Sequence, residues 1–537
     1  MNTTLIVFVV LYLLGTLSLG VWAGTRIKNT TDFAVAGRSL PLIMVVTTTF
    51  ATWFGAETVM GIPAKFVQGG LGSIVEDPFG AGTCLILVGV FFAARLYRMN
   101  LLTIGDFYRH RFGKGVEVFC SVAIILSYLG WVAAQITALG LVFNVLTQGA
   151  MSETMGMIVG TLAVLVYVVI GGFLAVAWTD FIQMIVLVIG LSVIAVFSAD
   201  LAGGSDKVFT MIASKDLWKF LPEPGFKDVA AFIGAAVTMM LGSIPQQDVY
   251  QRVMSARDAP TARKGAVIGG VSYILFAFVP MFIVASAVVV MGQQALDIAK
   301  DDYQRLLPTY VLSKMPLLMQ ILFFGALLSA IKSTSSATLL APSTSFVENI
   351  LKNLRPRMSD REQLLAMRWS ISVFAFLVLV YAIAMRGTPI YDLVSSAYQV
   401  TLVGAFVPLV FGLYWKRATT QGAIFSVAAG IGVWVLFFPQ LTGWGEAFPQ
   451  QLAGLLAALV GMVAGVTFVN GSLWVGTQRM EDDTSANGWL MRLDRKSGRI
   501  LGAIESSHAH HVISVTPKGE ILTGARPSTI YWFRTPR

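Results

Sequence analysis

Charge is scarce in this 537-residue chain: Asp, Glu, Lys and Arg make up 12% of it, against 56% hydrophobic residues. Soluble proteins carry about 25% charged residues, so a mean hydropathy of +0.73 excludes a soluble enzyme, a disordered chain and a nucleic-acid binder. Cysteine is almost missing. Cys84 and Cys120 lie at or beside apolar runs, so they offer neither a disulfide framework nor a thiolate metal site and read as small apolar side chains. No nucleophile–base pair, phosphate loop or ring of charges stands out, which argues against an enzyme and an ion channel and calls for no cofactor. Met1 opens an apolar run with no basic leader and no cleavage site, so Leu5–Gly24 reads as a retained helix.

Long apolar runs are what the chain has in abundance. A bilayer core about 30 Å thick needs roughly 20 apolar residues per helix. Thirteen stretches qualify: 4–24, 41–66, 78–97, 116–146, 154–176, 179–199, 228–247, 265–292, 316–345, 367–386, 392–413, 421–439 and 450–469. The expected fold is an all-α polytopic membrane protein in lipid. With the N-terminus outside, the cytoplasmic loops hold 19 basic residues and the external loops 8, so the positive-inside rule favours N-out, C-in in the plasma membrane. The net charge of +9 is thus mostly a matter of topology.

Residues 471–537 are different material. Gly488-Trp-Leu-Met-Arg-Leu-Asp and Glu520-Ile-Leu-Thr-Gly read as short strands, and the segment looks like one NHL-type propeller blade. Its histidines, His508, His510 and His511, read as an exposed cluster rather than a metal site. The expected domains are therefore a membrane domain, 1–470, and a small β-rich cytoplasmic tail, 471–537.

Polar residues inside the apolar spans carry the functional signal. Thr47-Thr-Thr-Phe-Ala-Thr-Trp-Phe-Gly-Ala-Glu-Thr interrupts the second span. Freed carbonyls at membrane depth are tolerated where they line a cavity or bind something, so the stretch reads as a broken helix at an ion or solute site. A packing seam of small residues is the competing reading. In the ninth span, Ala330, Ser333 and Thr334 fall at i, i+3 and i+4 on one face, and two hydroxyls beside a carbonyl suit a small monovalent cation.

The stretch Gly171-Gly-Phe-Leu-Ala-Val-Ala-Trp-Thr-Asp-Phe-Ile-Gln183 resembles the signature of the sodium:solute symporter family, and the likeness covers about 1–470. Gly37-Arg-Ser-Leu is similar to the family's proline carriers. Phe50-Ala-Thr-Trp-Phe-Gly-Ala-Glu and Gly242-Ser-Ile-Pro-Gln-Gln-Asp-Val-Tyr-Gln-Arg-Val look closer to its high-affinity choline branch. The resemblance implies a LeuT-like core of two inverted five-helix repeats, helices two to six and seven to eleven. It also implies sodium-coupled symport of a small organic solute. Sodium would be held by the carbonyls of Ala51, Phe54 and Ala330 and the hydroxyls of Ser333 and Thr334. A solute-binding sensor that signals through its tail is the alternative, since some relatives are fused to kinase domains.

For the solute, Trp53 and Trp131 match two walls of the choline branch's aromatic cage. Gln246 stands where a third tryptophan is expected, and Ala81 where a tyrosine is. Half the cage is missing, leaving a pocket part aromatic and part amide, with Gln135 on the face of Trp131. Asp180 matches the signature's acidic position and reads either as a helix N-cap or as a carboxylate with a role in cation entry or a second ion site. Lys332 is costly inside a span. It pairs with Glu57, meets a substrate carboxylate, titrates in place of an ion, or snorkels to a cytoplasmic vestibule. Glu57 and the Glu76-Asp77 pair at the external end of the third helix are further candidates for cation attraction.

Overall fold

The computed structural model describes residues 3–442 and 444–464. It also describes the strands Thr467–Val469, Ser472–Thr477, Gly488–Asp494, Ile500–Ser506, Val512–Val515, Ile521–Ala525 and Thr529–Phe533. Two compact units emerge: residues 1–104 with 124–399, and residues 105–123 with 400–537.

Nearly everything before residue 464 is helical. By length and apolarity, eight helices among the described residues suit a membrane crossing, or ten if each of two bent pairs is one span. Their outward faces carry Val196, Leu275, Trp369 and Phe376, all largely exposed. Apolar surface on this scale requires lipid, so the chain is a multi-pass membrane protein.

Three expectations about the spans change. The junction expected between 154–176 and 179–199 falls earlier, at Gly172 (φ 50°, ψ −154°), where the helical run Glu153–Leu201 is kinked. That backbone geometry is open essentially to glycine alone, and a Cβ there would meet the Phe33 ring at 2.5 Å. The stretch 228–247 is broken: Phe226–Gly242 ends, the chain turns through Pro245, and Gln247–Ser255 continues at an angle of 44°. The last span stops at Val463, short of 469, since Thr467–Val469 is a strand.

In the first unit, the second span is broken as its polar stretch predicts. Leu42–Trp53 ends at Phe54 (φ −89°, ψ 66°), and the chain resumes as Glu57–Gly69, bent by 58°. Its first half packs on Glu153–Leu201, Ala259–Met291 and the Leu317–Ser345 helix. In the second unit, Thr420–Leu436 and Gln450–Val463 pair closely. The strands form antiparallel ladders of four and three. The three tail histidines lie outside the described residues.

Candidate site at the two helix breaks

The breaks at 54–56 and 243–246 bring their flanking residues together in the first unit. Trp53, last residue before the first break, donates from Nε1 to Asp248 Oδ2 at 3.1 Å, just past the second. Tyr128 donates to Asp248 Oδ1 at 2.6 Å and accepts from the Asp248 amide at 2.9 Å. On the other side of the first break, Glu57 Oε1 accepts from Trp131 Nε1 at 2.9 Å. Its Oε2 accepts from Gln135 Nε2 at 2.6 Å, while Gln135 Oε1 receives the Ala56 amide at 3.0 Å. Trp131 and Gln135, one turn apart on their helix, thus converge on one carboxylate as their spacing predicts.

The rings of Trp53, Trp131 and Tyr398 contact one another, with centroids 5.8 Å (Trp53–Trp131), 6.1 Å (Trp53–Tyr398) and 5.4 Å (Trp131–Tyr398) apart. Tyr128 stacks on Trp131 at 6.1 Å. Tyr398 and Asp248 escaped the sequence reading. Asp248 sits directly after a Gly-Pro-containing interruption, a signal as strong as the one at 47–58. Tyr398 sits in an ordinary apolar span and offered no signal. Gln246 is buried but donates to Ser127 Oγ at 2.9 Å, so its amide works at the edge of the ring cluster.

The cation-type residues also assemble. Asp180 lies eight residues beyond Gly172 in continuous helix, which overturns the N-cap reading, because its carboxylate has no free helix-end amides to satisfy. It accepts instead from hydroxyls: Thr48 at 2.6 Å and Thr52 at 3.5 Å on the broken helix, and Ser333 on the ninth span. Ser333 spends its proton on Asp180, leaving its oxygen lone pairs free to face a cation. The Thr334 hydroxyl is buried with no hydrogen-bond partner among the described residues. A Cβ at Gly55 would lie 2.5 Å from Glu57 Oε2, 2.6 Å from Thr334 Oγ1 and 2.9 Å from Gln135 Oε1. Three oxygens therefore converge on the break, and glycine makes room for them. Ala51 and Phe54 stand buried in the turn before it, and Ala330 is buried one turn ahead of Ser333.

Arg252 is the guanidinium of the site. It donates to the Asp248 carbonyl at 2.7 Å and to the Thr52 hydroxyl, and lies 5.3 Å from the Phe173 ring centroid. Its charge acts on both Asp180 and Asp248.

Lys332 is not paired with Glu57. Its Nζ sits 4.3 Å over the Tyr167 ring, about 3% of the residue is exposed, and no carboxylate among the described residues lies within ion-pair distance. Burial this complete also removes the snorkelling reading in this conformation. The reason is angular: Lys332 precedes Ser333 by one residue and so projects about 100° away from the hydroxyl face. Glu76 and Asp77 are buried rather than presented to solvent. Tyr273 donates to Asp77 Oδ1 and lies 2.9 Å from Thr58, whose hydroxyl bonds the Trp53 carbonyl at 3.2 Å. Ala81 is buried and supplies no aromatic wall.

The chain is 27% identical over 458 residues to the high affinity choline transporter 1 of Homo sapiens, covering 83% of this chain and 77% of that protein. It is 26% identical over 453 residues to the high-affinity proline transporter of Bacillus subtilis, covering 83% and 94%. A solved Na+-coupled sialic acid symporter, substrate-bound and outward-open, shares the fold with a TM-score of 0.72 at 20% identity, over 86% of this chain and 97% of that one. Residues 33–430 match the family model described as the sodium:solute symporter family, and with nearly three quarters of its length inside that match the chain belongs to this family.

Proposed function

We propose that the chain is a secondary active carrier coupling inward sodium flow to symport of a small organic solute by alternating access. The observation that carries this reading is the Asp180–Ser333–Thr334 arrangement across the break at Phe54. Sodium is held there by the carbonyls of Ala51, Phe54 and Ala330 and the hydroxyls of Ser333 and Thr334. Because these ligands come from two helices, the ion clamps the broken helix to the ninth span and stabilises the conformation that accepts solute. The solute occupies the neighbouring ring cluster, with Trp53, Trp131, Glu57, Gln135 and Gln246 as its surroundings.

Two interrupted helices in corresponding places of the two halves, the second and the seventh, are what an inverted repeat produces at its binding site. Reading Glu153–Leu201 as two spans meeting at Gly172, and counting the two shorter apolar helices, gives thirteen crossings. The N-terminus is then outside and the C-terminal tail, with its propeller-like blade, in the cytoplasm of a cell whose plasma membrane holds the carrier. Purified chain in liposomes, given an inward sodium gradient and labelled choline-like, amino-acid and carboxylate solutes, tests the reading. Uptake that collapses when potassium replaces sodium supports it. Binding without transport favours the sensor, and uptake indifferent to sodium overturns coupling.

A further inference from the structure

The helix Asp360–Ala384 turns one stripe outward. Leu365, Trp369, Val373, Phe376 and Val380 recur at helical spacing and are between 48% and 70% exposed. In a multi-pass membrane protein such a stripe meets acyl chains, and Trp369, near its start, marks the level of the headgroups. The stripe leads down to a groove of about 610 Å³, of which Leu365 is one wall. Leu351 and Met358 add to the apolar lining, and the exposed Arg355 and Arg357 stand at the rim. This end of the helix is the cytoplasmic one in the orientation proposed above.

Local sequence sets this rim. Pro356 disfavours helix at Arg355, whose φ of −127° and ψ of 78° end the preceding helix, and Ser359 starts the next one with a capping box to Glu362. The acids nearby are already engaged. Glu348 pairs with Lys352 at 2.8 Å, Asp360 accepts the Thr30 hydroxyl and amide, and Glu362 accepts the Ser359 amide and hydroxyl at 2.7 Å each. Arg355 lies within electrostatic reach of Glu362, but neither it nor Arg357 has an ion-pair partner among the described residues. Guanidinium charge is permanent, and the exposed Glu362 is ionised at neutral pH. Two guanidiniums against this one carboxylate leave the rim with one positive charge in excess. A guanidinium takes phosphate oxygens two at a time. A monoanionic phosphodiester matches the excess, whereas a zwitterionic headgroup brings its own cation. Only a lipid also covers the apolar stripe; free phosphate does not.

We propose that this groove binds an anionic phospholipid, its phosphate on Arg355 and Arg357 and an acyl chain along the stripe from Leu365 to Val380. The negatively charged cytoplasmic leaflet supplies such a ligand. The site is separate from the two helix breaks and does not depend on which solute is carried.

The test follows thermal unfolding of the full-length chain in a non-ionic detergent. The probes are phosphatidylglycerol and phosphatidylcholine of identical acyl chains, and inorganic phosphate. Phosphatidylglycerol should raise the unfolding temperature saturably, at about one tenth or less of the phosphatidylcholine concentration, since each basic residue at an anionic lipid surface is worth roughly fivefold. Inorganic phosphate at the same concentration should do nothing. The double variant Arg355→Gln, Arg357→Gln should need about tenfold more phosphatidylglycerol or beyond. Ala366→Phe, which fills the groove without changing charge, should weaken the response as well. The double variant Arg263→Gln, Lys264→Gln removes the same charge from exposed positions elsewhere and should keep the full response. Equal affinity for the two lipids, inorganic phosphate acting in place of lipid, or an unchanged response in Ala366→Phe each overturns the proposal. So does a control pair that loses as much as the arginine pair. If the arginine pair fails to fold, the contrast between lipids and the Ala366→Phe response decide.

Discussion

Replacing Ser333 by alanine separates ion binding from everything else the ninth span does. Ser333 donates to Asp180, whose carboxylate also gathers Thr48 and Thr52 from the broken helix. The hydroxyl is thus oriented by one charge and offers its lone pairs to another. A hydrogen bond or ligand contact to a charged group is worth about 1.5–3 kcal/mol, and about 1.4 kcal/mol is tenfold in affinity. The variant should therefore bind sodium roughly ten- to a hundredfold more weakly. Sodium-linked thermal stability of the purified protein reads this without knowledge of the solute. At sodium near 100 times the dissociation constant, binding stabilises by about 2.7 kcal/mol. With the constant raised about thirtyfold, the same sodium gives only about 0.9 kcal/mol. Unfolding scans in sodium against potassium would show the gap between the two salts closing by about two thirds. Ser335→Ala is the control, because that hydroxyl bonds only its own helix at the Ile331 carbonyl, 2.6 Å away. A Ser333→Ala protein with the full sodium response, or a Ser335→Ala protein that loses as much, would refute the reasoning.

Other sites give further expectations. Gly172→Ala forces φ 50° on a residue with a Cβ 2.8 Å from the Phe33 carbonyl oxygen; backbone strain of about 1–3 kcal/mol plus overpacking should lower the unfolding temperature in detergent, and an unchanged temperature counts against the kink. Lys332→Met removes a buried ammonium whose one cation–π partner among the described residues is the Tyr167 ring, so stability should hold or rise; a loss above about 2 kcal/mol would reveal a partner beyond cation–π attraction. Asp258 caps the Ala259–Met291 helix by accepting the Thr261 amide at 2.7 Å, and the hydrogen bonds from Thr261 hold its carboxyl below the usual range. A depressed carboxylate adds stability above its unfolded value and loses it as pH falls, so the gap in unfolding temperature between the protein and Asp258→Ala should close on acidification through about pH 4. A gap that persists at lower pH would assign the cap's effect to packing instead.

The family was legible because its marks are local. The Thr47–Thr58 interruption, the hydroxyls of Ser333 and Thr334 and the run 171–183 are each contiguous, and polar residues inside apolar helices have few structural excuses. Span boundaries were legible where composition changes sharply. They failed where a single residue decides: Gly172 sets the kink in Glu153–Leu201 several residues ahead of the expected junction, and Pro245 breaks another helix that hydropathy alone makes continuous.

The sequence by itself determined that this is a multi-pass membrane protein, which helix is interrupted by polar residues, and which oxygen-bearing residues share a helical face. Periodicity and transfer free energy act along the chain, so one dimension suffices for them. Only the tertiary structure decided who meets whom. It turned Asp180 from a cap into the acceptor of three hydroxyls, moved Lys332 from Glu57 to Tyr167, and placed Glu57 and Asp248 at opposite tryptophans. Those partnerships join residues more than seventy positions apart. Their energies depend on distance and orientation across helices, which no spacing within one helix encodes.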